Sequence, residues 1–201
     1  MPPLPTPVYF QQAMTPIPKS PQTTVNITSI PSPPPAPTHP EPLLRLEFCD
    51  LSDSGTHLFL GHATLATLLS SAVSNVLTHL YPFSSHWPGT RSITLIIESF
   101  SGVAFTTGKS IDEDHKEIHF STSYITSLRQ KPRHIVADEI RGVVVHEMVH
   151  CWQHNAQGTA PGGLIEGVAD WVRLKAGLVP PHWKREADVC DSNIHLIPGF
   201  E

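Results

Sequence analysis

The stretch from Val143 to Gly177 constrains the fold of this chain more than any other, because it carries polar side chains on helical spacing within apolar sequence. It contains an HExxH motif, in which His146 and His150 stand four residues apart. On a helix these imidazoles lie one turn apart on the same face, where a single Zn²⁺ can take a nitrogen from each. Glu147 directly follows the first histidine and can act as a general base on a metal-activated water. The motif therefore predicts a zinc site on a helix.

A catalytic zinc site needs a third protein ligand beside an open position, and the sequence offers candidates after the motif. His154 lies eight residues beyond His146, which is roughly 12 Å along a straight helix and too far for zinc bonds of about 2 Å. A turn rich in glycine then predicts a second helix from Leu164 to Ala176, which carries Glu166 and Asp170 one turn apart. We predict Glu166 as the third ligand and Asp170 as the acceptor that orients a ligating histidine.

Both carboxylates also have simpler explanations. Glu166, near the start of a helix, can interact with the helix dipole. Asp170 can pair with Arg173, three residues further along the same helix. The residues by themselves therefore leave the third ligand between these two carboxylates.

Five segments resemble the basic secretory protein family of plants and fungi. They are SGVA at 101–104, EIHFS at 117–121, HEMVHCWQ at 146–153, APGGLIEGVADWVRLKAG at 160–177 and PHW at 181–183. The resemblance covers residues 42–184 and implies a zincin-like metallopeptidase. EGVAD is also similar to the Glu-x-x-x-Asp element of gluzincin peptidases, which favours Glu166 over Asp170 as the zinc ligand. The net charge of −5 departs from the family's name.

The order of the predicted elements indicates an α+β fold. Strands are predicted at 43–48, 93–98, 103–106 and 118–121, with an amphipathic helix at 65–80 and a short helix at 123–130. A loop is predicted at 50–55, and Asp138 is the predicted N-cap of the HExxH helix. The resemblance implies a zincin-like lobe, in which a small twisted mixed sheet packs on the HExxH helix and the EGVAD helix. It also implies that Glu117–Ser121 is the sheet edge that pairs with substrate.

Three further side chains are predicted on the substrate side of the site. Gln153 lies on the same helix face as His150, where it can contact substrate or cap a backbone group. His119 and Tyr124 could approach the cleft, where a tyrosine hydroxyl can donate to a developing oxyanion. Ordinary strand and helix surface is the competing explanation for these two residues.

The N-terminal residues 1–41 differ sharply in composition from the rest of the chain. Of the 21 prolines, 13 lie within the first 40 residues, a composition that favours extended chain and cannot build a core. We predict a disordered Pro-rich tail, which acts either as a solvated linker or as a ligand for an SH3-type domain. The predicted domain follows at 42–184. Residues 185–201 do not resemble the family's usual continuation, and we predict a divergent C-terminal tail there.

Composition argues against several other classes of protein. The net charge of −5 gives no indication of nucleic-acid binding, and no apolar run approaches the roughly 18 residues of a membrane span. The N-terminus lacks the pattern of a signal peptide, so the sequence predicts an intracellular protein, while the resemblance leaves secretion open. The three cysteines are widely spaced and form no disulfide framework.

These patterns predict a zinc-dependent peptidase that hydrolyses a peptide or protein substrate with Glu147 as the general base. The alternative is a zinc-binding defence or interaction protein without catalysis, because the shortened C-terminal part leaves the activity open. Hydrolysis of a protein substrate, abolished by a chelator, separates the two.

Overall fold

A computed structural model of the protein describes residues 41–83, 87–180 and 183. The predicted tails at 1–41 and 185–201 lie outside these residues, except for Glu41. The strands are β1 (Leu43–Phe48), β2 (Ser92–Glu98), β3 (Ala104–Gly108) and β4 (His115–Ser121). The helices are α1 (Ser54–His62), α2 (Leu68–Leu80), α3 (Thr122–Ser127), α4 (Arg133–Trp152) and α5 (Gly162–Lys175). The predicted α+β class and the small mixed sheet are confirmed.

The four strands form a mixed sheet in the order β1-β2-β4-β3. β1, β2 and β4 run parallel, while β3 runs antiparallel to β4 and forms one edge. The prediction that Glu117–Ser121 is the edge was therefore wrong, because these residues lie in β4 between two neighbouring strands. Ile118 and Phe120 of β4 are fully buried, as is usual for an interior strand, whereas exposure alternates along β3.

The apolar face of the sheet packs against the helices and forms the core. Ile93, Leu95 and Ile97 alternate along β2 and are all fully buried on this face. α4, which carries the HExxH motif, contacts both α2 and α5, and 13 of its 20 residues are buried. It is therefore a central element of the core. No helix among the described residues has the length and apolar content needed to cross a membrane.

α1 begins within the segment that was predicted as a loop. Asp53 caps it, because its side chain accepts hydrogen bonds from the backbone N–H groups of Gly55 and Thr56. Gly55 also lets α1 approach the start of α3 closely, since a Cβ at this position would lie 2.2 Å from the carbonyl oxygen of Thr122. The polar Asp-Ser-Gly sequence thus starts a helix and brings two helices into contact.

α4 begins earlier than the sequence predicted. Its first residue is Arg133, directly after Pro132, whose carbonyl oxygen accepts a hydrogen bond from the N–H group of Val136. The prediction that Asp138 is the N-cap was therefore wrong. Asp138 lies inside the helix and pairs with Arg141 on the surface.

α4 ends at Trp152, because Gln153 has extended backbone angles. The hydroxyl group of Tyr81 donates to the carbonyl oxygen of Trp152, which satisfies one of the acceptors that a helix end leaves unpaired. His154 consequently lies in the segment after the helix, where its ring contacts that of Tyr81 edge to face.

Candidate metal centre

α4 and α5 run antiparallel, and polar side chains that face each other across them form one cluster. His146 and His150 project from successive turns of α4, with ring centroids 5.0 Å apart. Glu166 of α5 reaches both rings. Its Oε2 lies 3.0 Å from Nε2 of His146, and its Oε1 lies 3.6 Å from Nε2 of His150. The two helices thereby bring the three predicted ligands together.

Asp170, the second predicted carboxylate, lies on the other side of the His146 ring. Its Oδ1 is 2.9 Å from Nδ1 of His146. A hydrogen bond from Nδ1–H to this carboxylate would fix the orientation of the ring and leave Nε2 for a metal. Arg173, the competing partner of Asp170, pairs with Glu139 of α4 instead.

The donor set of the cluster fits a zinc ion. The three ligand atoms lie within 4.8 Å of one another. Bonds of about 2.0–2.1 Å in a tetrahedral site separate ligand atoms by about 3.3 Å, so a small closure of the cluster would complete the geometry. Two imidazoles and one carboxylate are a donor set that catalytic zinc sites use. Within the part of the chain that the structure describes, no other three such side chains meet so closely.

The protein groups of the cluster together favour a charged His146. Burial opposes a charge on this ring, yet its pKa is raised to about 9 by hydrogen bonds to Asp170 and Glu166 and by the charge of Glu147. Hydrogen bonds from His146 and His150 hold the pKa of Glu166 well below its usual range. A cation bound by the cluster must therefore displace the proton of His146.

Glu147, the predicted general base, directly follows His146 and faces β3. It is only 3% exposed, and burial raises the pKa of its carboxyl group against the lowering effect of the two cluster histidines. The hydroxyl group of Thr106 donates to Oε2 of Glu147 at 2.8 Å and also lies 3.0 Å from its carbonyl oxygen. A buried carboxyl group with a raised pKa has the basicity that a general base requires.

Thr106 is a residue of the site that the sequence did not reveal. Its strand was predicted, but its contact with α4 depends on the position of β3 at the sheet edge. Thr106 lies opposite Ile118 of β4, so it faces the helix-covered side of the sheet. Alternation along β3 was a usable signal only once the pairing with β4 was known.

A cleft of about 1330 Å³ lies over the cluster. Its lining includes β3, the segment 100–103 before it and the segment 153–158 after α4. Glu147 and the three candidate ligands all line this cleft. The cluster is thus accessible to a molecule that lies along the edge of the sheet.

Gln153 links the end of α4 to the start of α5. Its Nε2 lies 3.2 Å from Nδ1 of His150 and 3.3 Å from the carbonyl oxygen of Ile165. The hydrogen bond to the carbonyl oxygen of Ile165 agrees with the prediction that Gln153 caps a backbone group. The side chain also lines the cleft, so its predicted contact with substrate stays a prediction.

The structure does not bring His119 or Tyr124 to the cluster, and their positions do not support the predicted roles on the substrate side. Alternation along β4 turns His119 to the sheet face away from the helices, where it pairs with Glu98 and stacks on Phe105. The hydroxyl group of Tyr124 donates to Oε1 of Glu139 at 2.8 Å, and burial raises its pKa. Neither side chain lines the cleft.

A cleft along a sheet edge, with a buried carboxyl group beside a candidate metal cluster, is the kind of site that hydrolytic enzymes use. Residues 41–195 match the model of the BSP family, which is described as a peptidase of plants and bacteria. This match spans most of the chain, and the protein belongs to that family. The family resemblance is thereby confirmed, while the plant or fungal origin and the zincin-like nature of the protein stay predictions. No curated protein and no solved structure matches the chain.

Proposed function

We propose that the protein is a zinc-dependent peptidase with a zincin-like site. In this proposal the ligands are His146, His150 and Glu166, and the general base is Glu147. The observation that carries it is the approach of three ligand atoms to within 4.8 Å, beside a buried carboxyl group with a raised pKa. Membership of a peptidase family supports the reaction type and implies a peptide or protein substrate.

Zinc bound at this site would supply a Lewis acid that lowers the pKa of a water molecule and polarises the scissile carbonyl group. Glu147 would take a proton from the attacking water and pass it to the leaving amine. Its raised pKa suits both steps, because the group must first accept the proton and then release it. Thr106 would keep the carboxylate in one orientation through its hydrogen bond to Oε2.

We propose that substrate binds in an extended conformation along β3. An edge strand offers unpaired backbone groups, to which a peptide can add as a further strand. Thr106 lies in the middle of β3 and contacts Glu147, so a peptide at this edge would pass over the cluster. The cleft continues along β3 from Ala104 to Gly108, which suits cleavage within a chain.

Hydrolysis of an unfolded protein substrate tests the proposal. The protein should cleave this substrate, a chelator should abolish cleavage, and added zinc should restore it. Glu147→Gln keeps the size of the side chain but cannot accept the proton, so it should bind zinc and lose nearly all cleavage. Glu113→Gln is a matched control, because Glu113 also lines the cleft but pairs with Lys116 at 3.0 Å.

Two results would count against the proposal. Cleavage that survives the chelator would exclude a zinc-dependent reaction, and full activity of Glu147→Gln would exclude the assigned base. Zinc binding without cleavage by the unmodified protein would instead favour the non-catalytic alternative.

A further inference from the structure

A buried ion pair lies at the other end of the contact between α4 and α5. Arg173 is 1% exposed and Glu139 is 5% exposed. Nη2 of Arg173 donates to Oε2 of Glu139 at 2.8 Å, and the hydroxyl group of Tyr124 donates to Oε1 at 2.8 Å. Nε of Arg173 donates to the carbonyl oxygen of Leu178 at 2.9 Å. Both carboxylate oxygens thus have a donor, as a buried charge requires.

The ion pair has the same spacing from the metal cluster on both helices. Glu139 precedes His146 by seven residues on α4, and Arg173 follows Glu166 by seven residues on α5. Seven residues are about two turns, or about 10.5 Å along a helix axis. Two polar contacts at equal spacing on antiparallel helices fix one register of the pair.

The apolar contacts of α5 define this register poorly. The buried residues of α5 are Ala169, Val172 and Arg173, and the contacts of small apolar side chains have no preferred direction. A slip of one residue moves a helix by about 1.5 Å, whereas metal–ligand distances must hold within about 0.2 Å. A directional contact is therefore needed to place the carboxylates of α5.

Gly142 provides the space for this contact. It lies on α4 three residues after Glu139, and a Cβ there would lie 2.5 Å from Nε and 2.6 Å from Nη2 of Arg173. A side chain at position 142 would collide with the guanidinium group. The arginine consequently lies directly across the backbone of α4.

We propose that Arg173 is a positioning residue for the metal centre, and that its ion pair with Glu139 sets the register of α5 on α4. That register holds Glu166 and Asp170 against the histidines of α4. This role rests on the proposed function, because it concerns the same zinc ligands. It predicts that the ion pair contributes to metal affinity and not only to stability.

Zinc affinity, measured by competition with a chromophoric chelator, tests this role. Arg173→Met should weaken zinc binding about 10–100-fold, the range found when groups that support metal ligands are lost. Lys175→Met is the matched control, because it removes the same charge from the exposed side of the same helix, where Lys175 lies over the Trp171 ring. A surface substitution of this kind should stay within about twofold of the unmodified protein.

Gly142→Ala gives a second test that does not depend on the folding of Arg173→Met. Alanine is a better helix former than glycine, yet its Cβ would displace the guanidinium group of Arg173. Gly142→Ala should therefore weaken zinc binding about 10-fold. When Gly142→Ala is combined with Arg173→Met, zinc affinity should fall little further, because the guanidinium group that the added Cβ would displace is then absent.

Amide hydrogen exchange in the presence of a chelator gives a readout that needs no zinc. Exchange between Glu166 and Asp170 should be faster in Arg173→Met than in Lys175→Met. If folded Arg173→Met and Gly142→Ala bind zinc as tightly as Lys175→Met does, the positioning role is wrong although the zinc site stands. If the unmodified protein binds no zinc, the proposed function fails, and the exchange rates alone decide whether Arg173 sets the register.

Discussion

The stability of the protein should respond to pH in opposite directions with and without zinc, because His146 changes its protonation. In the zinc-free protein, burial opposes a charge on the His146 ring, but hydrogen bonds to Asp170 and Glu166 raise the pKa of this ring from 6.5 to about 9. Since the folded pKa is the higher one, the protonated ring stabilises the zinc-free fold fully below pH 6.5. That stabilisation is lost as the pH rises through about 9.

The magnitude follows from the difference between the two pKa values of His146. The difference is about 2.5 pH units, each of which corresponds to about 1.4 kcal/mol, so the free energy of unfolding should fall by about 3.5 kcal/mol. The lowered pKa of Glu166 affects stability only at acidic pH, so it does not change this value. With zinc present the sign reverses, because the metal requires an unprotonated imidazole, so stability should rise with pH.

Urea unfolding, followed by tryptophan fluorescence between about pH 6 and about pH 9.5, measures how stability changes with pH in the absence and in the presence of zinc. In the presence of a chelator, the His146→Gln variant should no longer lose stability as the pH rises. His154→Gln should still lose stability, because His154 lies outside the cluster in the segment after α4. If the free energy of unfolding in the presence of chelator stays level or rises over this range, His146 does not stabilise the zinc-free fold by its charge.

Three further variants test the third ligand, the orientation of Glu147 and the role of the N-terminal tail. Glu166→Gln should weaken zinc binding more than Asp170→Asn, for which about 10–100-fold is expected; calorimetric titration measures both, and the reverse order would make Asp170 the third ligand. Thr106→Val should leave zinc affinity unchanged but slow hydrolysis about 10-fold, because it removes a hydrogen bond to a charged group; an unchanged rate would show that this contact does not orient Glu147. Deletion of residues 1–38 should leave the melting temperature nearly unchanged, since a Pro-rich segment buries no apolar core; a drop of many degrees would show that it packs on the domain.

Local periodicity accounts for what the sequence could predict. β1 and β2 were predicted within one residue of their observed bounds, and α2 within a turn. The approach of His146 to His150 requires only the helical period, and the two rings lie 5.0 Å apart. Glu166 and Asp170 are likewise one turn apart on α5, so each faces α4 once the helices pack.

Pairing between distant segments accounts for what the sequence could not predict. The contact between Thr106 and Glu147 spans 41 residues, and it depends on β3 forming the sheet edge. Arg173 was open to a local pair with Asp170, but Gly142 gives it access to Glu139, 34 residues away. An exposed pair on one helix contributes only about 0.3–0.5 kcal/mol, whereas moving Arg173 away from Glu139 would leave a buried carboxylate without its counter-charge.

The zinc content of the purified protein shows whether the cluster of His146, His150 and Glu166 is a metal centre. Elemental analysis of protein kept free of chelators should find about one zinc ion per chain, because one cluster of three ligands is present among the described residues. Glu147→Gln should retain this zinc, and His150→Ala should lose most of it. Protein that holds no zinc and takes up none when it is added would contradict the assignment of the metal centre.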